Sequence, residues 1–477
     1  MTGSYDLIVI GAGPAGLAAA WRAAQRGMKV TLLERADHVG GLAASFEVGG
    51  VRVDQGSHRL DPNTPPAILH DLRALLGDDL QQRRRSSRIR VGDQWLGLPL
   101  RAEEAARKLP PSFLAKVARD SAVSKFRREE SETYGGLVRT RVGPALYESV
   151  YGPLAEKQWG LPGDRISADQ ARRQTDRLGT WRVAARALRR GRKGGKPGAG
   201  GASATGGGYY YPRTGFGQLV EALADAAVTA GVEIRCEAEV DRVRVTEDEV
   251  EVSTQDGDLI TGGLVFSTLP LPVLARIARP APSLTSIESS ARLRYRAMLL
   301  VYVVHQGGRW SPHDSHDIPD PRTPVIRISE PANYRANPSD PADRSVLCAE
   351  IPCSMTDDVW GLDDESLADL VDETLGLTGL PKVNRVHVES RRIGQVYPIY
   401  RVGYEHDLSD VDNWARMIRR VVTLGRQGLF VLENIDQALL MAYGAVGAIR
   451  DDGRFDRYAW TVARERFARS GYVDGLS

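Results

Sequence analysis

Two small groups of residues near the N-terminus have types and spacing that could do chemistry. Gly11-Ala12-Gly13-Pro14-Ala15-Gly16 carries the spacing G-x-G-x-x-G, and an acid follows at Glu34. In such a run the first glycine permits a tight turn and the second lets the backbone approach a pyrophosphate. The third lets a helix pack closely on a strand, and a later acid accepts hydrogen bonds from a ribose. The spacing has this meaning only between a strand and a helix. The flanking elements supply that context. Leu7-Ile8-Val9-Ile10 reads as a buried strand, an alanine-rich helix starts at Pro14, and Val30-Thr31-Leu32-Leu33 reads as a second strand ending at Glu34. The helix N-terminus would turn its free N–H groups toward phosphate. The order strand, turn, helix, strand, acid predicts a βαβ unit that binds a dinucleotide, either NAD or FAD.

The residues after Glu34 separate these two. The stretch "ERADHVGGLAASFEVGGVRVDQGSHRL" resembles the flavoprotein superfamily of amine oxidases, protoporphyrinogen oxidases, phytoene desaturases and UDP-galactopyranose mutases. The resemblance implies FAD as cofactor and spans nearly the whole chain. It puts Arg35, the glycine pair Gly40-Gly41 and Leu42 against the cofactor. It also implies that the strand "VDQGSH" ends beside the flavin at Gly56, Ser57 and His58. "YYYPRTGFGQL" resembles the return to the cofactor domain, with the backbone near Val240 meeting the adenine and a strand ending at Thr268. "VTLGRQGLFVLENIDQAL" resembles the closing motif. There the Gly425-Arg426 backbone is expected to face the pyrophosphate. The helix start at Asp436, Gln437 and Ala438 is expected to point at flavin O2, stabilising negative charge there.

Together these segments imply an α/β protein in which a Rossmann-like FAD-binding domain is interleaved with a substrate domain of antiparallel sheet plus helices. Residues 1–75, 205–285 and 420–477 are expected to form the FAD-binding domain. Residues 76–204 form the helical part of the substrate domain, with apolar residues at three- and four-residue spacing. Residues 286–419 alternate, as in "MLLVYVVHQ" and "NRVHVESRR", and predict the antiparallel sheet. Segment 189–208 is basic, glycine-rich and nearly without apolar side chains, so it reads as a flexible linker or a lid.

Composition excludes several classes. A net charge of +2 over 477 residues gives no overall pull toward nucleic acid, and 42% hydrophobic with 26% charged residues describes an ordinary globular chain. The three cysteines, Cys236, Cys348 and Cys353, have no spacing for a metal site or disulfide framework. No apolar run approaches the ~18 residues of a spanning helix. With a strand starting almost at the N-terminus, a cytoplasmic protein is expected.

Three kinds of chemistry remain. The first is an FAD-dependent oxidoreductase, a dehydrogenase, desaturase or oxidase, acting on a small polar or anionic metabolite with O2, a quinone or NAD(P) as electron acceptor. Amine oxidases of the superfamily usually place a lysine near the flavin, but none of the eight lysines lies in the candidate strands, and Leu42 stands where many have arginine. The second is a redox-neutral, UDP-galactopyranose mutase-like enzyme, whose arginines and tyrosines would clamp a nucleotide-sugar. Arg327, Arg401, Arg426, Tyr397, Tyr400 and Tyr404 offer such groups, although surface arginines are usually only solvated. The third is a non-catalytic flavin-binding relative. The residues expected to do chemistry are His58, Arg59, Arg327 and Tyr397. His58 either exchanges a proton or hydrogen bond with flavin or substrate, or only orders its turn.

Overall fold

The computed structural model describes residues 4–123, 131–173 and 208–469. The first sheet is built on β1 (Tyr5–Ile10) and β2 (Val30–Leu33), joined by the helix α1 (Pro14–Gln25). β1 pairs in parallel with β2 and with Leu259–Ser267, and Val421–Thr423 adds to the latter, also in parallel. Beyond Leu259–Ser267 lie the antiparallel strands Val250–Thr254 and Val240–Val245. Leu7, Ile8, Val9 and Ile10 are all buried, as expected of a parallel strand covered on both faces.

α1 owes its form to a proline in the first turn and a run of alanines, the best helix former. Ala18, Ala19, Ala20 and Ala23 are fully buried, and such small side chains let the helix lie close to the sheet and to the helices Gly217–Thr229 and Ile435–Gly447. The helix ends at Gly27, whose φ of +82° suits a residue without Cβ.

The second sheet runs in the order Arg385–Pro398, Tyr295–Gln306, Arg344–Cys353, Arg327–Ser329, Ser315–Asp317, Ser87–Val91 and Gln94–Leu98. Its last two strands come from the segment expected to be helical. They form a hairpin across Gly92-Asp93, with Gly92 at φ +59°, a two-residue turn of the favoured kind. Residues 76–204 therefore contribute strands to the substrate side as well as helices. Ser87–Val91 runs parallel to Ser315–Asp317, so this sheet is mixed rather than wholly antiparallel. The Gly-rich segment 189–208 lies outside the described residues except for Gly208, which opens the strand Gly208–Pro212.

The hairpin of Ser45–Val48 and Val51–Asp54 joins the two halves. Val48, Val51 and Val53 pack on Met298, Leu300, Tyr302 and Val304 of the second sheet. Each such side chain contributes about 1.5–3 kcal/mol when fully buried. The hairpin thereby fixes where the chain after Asp54 emerges, between the C-terminal end of β1 and the second sheet.

Candidate active site

Four backbone segments far apart in sequence meet at the C-terminal end of β1. Gly11 has φ +100°, and a Cβ there would lie 2.1 Å from Thr268 Oγ1, a hydroxyl that donates to the Ile10 carbonyl at 2.8 Å. A Cβ on Gly16 would fall 1.9 Å from the Gly11 carbonyl oxygen, so this glycine is needed for packing alone. Gly40 N–H donates to the Ala12 carbonyl at 2.8 Å, while ideal Cβ positions on Gly41 and Gly425 lie 3.3 Å from Gly13 Cα and 3.1 Å from Ala15 Cβ. Gly13 differs from all of these. A Cβ built on it meets nothing within 4 Å, so its backbone borders open space at the start of α1.

Glu34 closes the cradle. One carboxylate oxygen accepts from Ala12 N–H at 2.7 Å and the other from Ala36 N–H at 3.0 Å. Lone pairs remain on both for ribose hydroxyls. The chain leading to Val240 passes beside it, Ala238 N–H donating to the Glu34 carbonyl at 2.8 Å. Arg35 is exposed, and Pro14 occupies the first turn of α1.

The closing motif carries its own helix cap. The helix Ile435–Gly447 begins with a capping box in which the Asn434 side chain takes the Gln437 N–H, and Gln437 Oε1 accepts from Asn434 N–H at 3.2 Å. Ala438 N–H donates to the Asn434 carbonyl at 3.0 Å. The Gln437 and Ala438 amides are thus engaged within the helix cap. Burial and the nearby Asp61 push the Asp436 carboxyl up to about 6, against the pull of the first-turn N–H groups.

His58, Arg59, Arg327 and Tyr397 line one pocket together with Arg426 and Glu350. Its floor is apolar, from Met298, Leu300, Ile393 and Val396 of the second sheet. His58 Nε2 lies 3.0 Å from the Gln55 carbonyl, which can only accept, so Nε2 carries the hydrogen and Nδ1 is an acceptor. Burial lowers the imidazole below its ordinary value, only partly opposed by Asp54. Phe216 stacks on the ring at 5.2 Å, with an interplanar angle of 26°. The site therefore holds a neutral histidine at neutral pH.

Arg59 and Arg327 reach the pocket already engaged. Arg59 lies between the rings of Tyr209 and Tyr334 at 5.3 and 5.0 Å, donates to Ser87 Oγ at 2.9 Å and approaches Asp314 at 3.7 Å. Arg327 donates to Asp317 at 2.8 Å and stands 3.5 Å from Glu350, which also accepts from Ser57 N–H at 3.2 Å. The Arg426 guanidinium covers the Tyr397 ring at 5.4 Å. Of the other groups expected to form a clamp, Arg401 pairs with Asp407, while the Tyr400 and Tyr404 hydroxyls donate to the Phe430 carbonyl and to Asp169. These three serve the protein itself.

Glu350 and Phe216 escaped the sequence reading. Glu350 had one signal, a single acid inside the apolar strand "SVLCAEIPC". Lys157 is buried but lies elsewhere, its Nζ donating to the Ile318 and Val325 carbonyls at 2.8 and 3.0 Å, with burial pushing it down to about 7. Among the described residues no group of three or more side chains is arranged to hold a metal, and no helix is long and apolar enough to cross a membrane.

Comparison with known proteins adds a family resemblance. Residues 9–75 match the NAD(P)-binding Rossmann-like domain, and residues 200–429 match the flavin containing amine oxidoreductase family. The chain thus resembles the FAD-dependent amine oxidase-like superfamily. It is 30% identical over 298 residues to a phytoene dehydrogenase of Streptomyces griseus, an alignment covering 58% of this chain and 56% of that protein. The chain thus spans a little over half the length of that curated relative. A shorter stretch, 71 residues or 15% of this chain and 14% of the other, is 39% identical to a 1-hydroxycarotenoid 3,4-desaturase of Flavobacterium. Reduced UDP-galactopyranose mutase shares the fold over 98% of this chain and 99% of its own, with TM-score 0.80 and 17% identity. A putrescine oxidase variant does so over 98% and 100%, with TM-score 0.64 and 15% identity.

The cofactor of this flavoprotein is FAD, and the residues present fit it. The open face of Gly13, the spare lone pairs on Glu34 and the converging glycines would receive a pyrophosphate and a ribose. The pocket of His58 lies beyond them, next to Arg426 and Leu42.

Proposed function

We propose that this flavoprotein is an oxidoreductase, a dehydrogenase, desaturase or oxidase, that acts on a small polar or anionic metabolite. Bound FAD would supply the hydride acceptor. The observation that carries this reading is the neutral His58, with Nδ1 as an acceptor and Nε2–H committed to the Gln55 carbonyl. A neutral imidazole so placed can take a proton from a substrate N–H or O–H as the neighbouring C–H bond is oxidised. The apolar floor excludes water, and the Arg327–Glu350 pair orients a polar group of the substrate above it. The relatives named as carotenoid enzymes point instead to an apolar chain. A polyene in this pocket would set hydrocarbon against the charged Arg327–Glu350 pair and offer it no polar group, an unfavourable exchange. O2, a quinone or NAD(P) would complete the cycle as electron acceptor.

A second reading, a redox-neutral mutase of a nucleotide-sugar, draws on one observation. Arg426 over Tyr397, facing Arg327 across the pocket, could hold a diphosphate. Anaerobic photoreduction of the holoenzyme, followed by candidate substrates and acceptors, separates the two. Substrate-driven bleaching of the oxidised flavin with recovery by an acceptor supports the oxidoreductase. Turnover that needs reduced flavin and leaves no net redox change supports the mutase.

A further inference from the structure

At the N-terminal edge of the first sheet, a groove of about 1250 Å³ opens between the start of β1, the end of α1 and the loop before the helix Arg457–Arg469. It lies at the far end of β1 from Gly11, about 20 Å away along a strand of six residues. The groove is therefore separate from both the phosphate cradle and the His58 pocket. Arg26, Arg419, Arg420, Arg450, Arg454 and Arg457 line it, against the acids Asp6, Asp451 and Asp452.

Partners divide these arginines into two sets. Arg26 stands 3.5 Å from Asp451, Arg454 3.8 Å from Asp452, and Arg450 2.7 Å from Asp456. Only Asp6 is left outside these pairs among the lining acids, and it accepts from Lys29 N–H at 2.7 Å. Arg419, Arg420 and Arg457 have no carboxylate at ion-pair distance among the described residues. Arg419 is exposed and makes no hydrogen bond there either. Arg420 donates to the Gly263 carbonyl at 3.1 Å, and its buried Nε has no partner. Arg457 donates to the Arg416 and Ile418 carbonyls, and burial lowers its guanidinium below the ordinary value with no acid to offset it. Carbonyl oxygens satisfy N–H groups without neutralising the cation, and a charge drawn from water calls for a counter-charge. The backbone adds an independent sign. Arg420 has φ +60°, a left-handed conformation uncommon outside glycine, in the turn between the helix Tyr404–Met417 and the strand Val421–Thr423. Such strained positions cluster where a ligand is held.

A cleft lined mainly by one sign of charge focuses its field inward, and guanidinium forks match phosphate oxygens in pairs. We propose that this groove binds a phosphate chain, with Arg419, Arg420 and Arg457 as its receptors. Three cations from two segments are neutralised together only by an anion that carries several charges. A concave site also suits a narrow chain, whereas a flat membrane surface could not enter it. Two sources offer this chemistry, inorganic polyphosphate and the phosphate tail of a nucleotide. The Tyr5 and Phe455 rings in the same groove would meet the base of the latter. The proposal goes beyond the oxidoreductase reading and does not depend on it.

Calorimetry of the FAD-loaded holoenzyme, whose cradle is filled, tests this with sodium tripolyphosphate and with magnesium-free ATP. Tripolyphosphate should bind at low salt and weaken as salt rises. Arg419→Glu and Arg420→Gln should each raise its Kd by about tenfold or more, the worth of one charged contact. Flavin content and circular dichroism should stay unchanged, most securely in Arg419→Glu, because that side chain has no partner to lose. ATP bound about tenfold or more tighter than tripolyphosphate assigns the groove to a nucleotide, and a comparable Kd assigns it to the phosphate chain alone. No tripolyphosphate binding at millimolar concentration, or an unchanged Kd in folded Arg419→Glu, overturns the proposal.

Discussion

Phe216 lies stacked on His58, and Asp54 binds the segments of both. The Asp54 carboxylate accepts from the Tyr211 hydroxyl, from Phe216 N–H at 2.8 Å and from Ser45 Oγ at 2.6 Å. The "VDQGSH" strand and the "YYYPRTGFG" turn are therefore one structural unit, with Asp54 as the joint and the His58–Phe216 stack as its outer face.

From the joint comes the first prediction. Asp54→Asn should lower stability by roughly 2–4 kcal/mol, since a buried carboxylate with several donors is replaced by a weaker, partly mismatched acceptor. Urea denaturation measures it. A loss below about 0.5 kcal/mol, the worth of one weak hydrogen bond, would mean that the hairpin packing alone holds the unit.

His58 sets the pH profile. Its folded value is depressed by burial, so the imidazole stays neutral below the ordinary ~6.5. The reductive half-reaction should then be flat through neutral pH and fall only on the acid side of that value. Phe216→Ala, which opens the ring to water, should move this acid limb to higher pH with FAD content unchanged. His58→Ala should slow the step by about 10²-fold or more if the imidazole takes the proton. Stopped-flow across pH reads both. Wild-type rates in His58→Ala would reduce the histidine to an ordering role.

The glycines should divide by what surrounds them. Gly13 has an ordinary φ of −73° and open space where a Cβ would point, so Gly13→Val should fold and yet exclude the pyrophosphate. Gly16→Ala would drive a methyl into the Gly11 carbonyl and should lose the fold itself. Glu34→Ala should weaken FAD and leave a folded protein. Flavin absorbance set against circular dichroism distinguishes these outcomes, and a yellow Gly13→Val protein would refute the cradle.

Glu433 and Asp436 predict a slope in stability. Both carboxyls have folded values above the unfolded ones, about 8 and about 6. The folded state therefore holds more protons than the unfolded chain between the ordinary carboxylate range and these values. Stability from these groups is present at low pH and is lost as pH rises toward 8. Denaturation midpoints of the apoprotein between pH 5 and 8 should decline in wild type and decline less in Glu433→Gln. Equal slopes would show that Glu433 ionises normally.

The phosphate end of the site was legible in the chain because its logic is local. The turn at Gly11–Gly16, α1 and the acid at Glu34 lie within one βαβ unit, and each glycine's role follows from spacing. Resemblance added the glycine pair, the "VDQGSH" strand and the closing motif, and the structure brings all of them to the end of β1. Less legible were elements whose pattern competes with a neighbour's. The Ser87–Leu98 hairpin sat inside a stretch dominated by helical periodicity; "RIRVGDQWLGLPLR" reads as a strand there, and only pairing with Ser315–Asp317 decided which sheet it joins.

By itself the sequence determined the glycine turn within its βαβ unit, the α/β class and the family resemblance, since these rest on contiguous patterns of glycine, apolar residues and charge. Tertiary structure alone decided which candidate groups still have chemistry to offer. Arg59, Arg401, Tyr400 and Tyr404 have the right types, yet partners from distant segments engage them. The Gln437 and Ala438 amides are consumed by Asn434. Glu350 and Phe216 reach the pocket through long-range pairing. A side chain's type is local, whereas its burial and hydrogen-bond partners depend on segments hundreds of residues away, and those set its charge and availability.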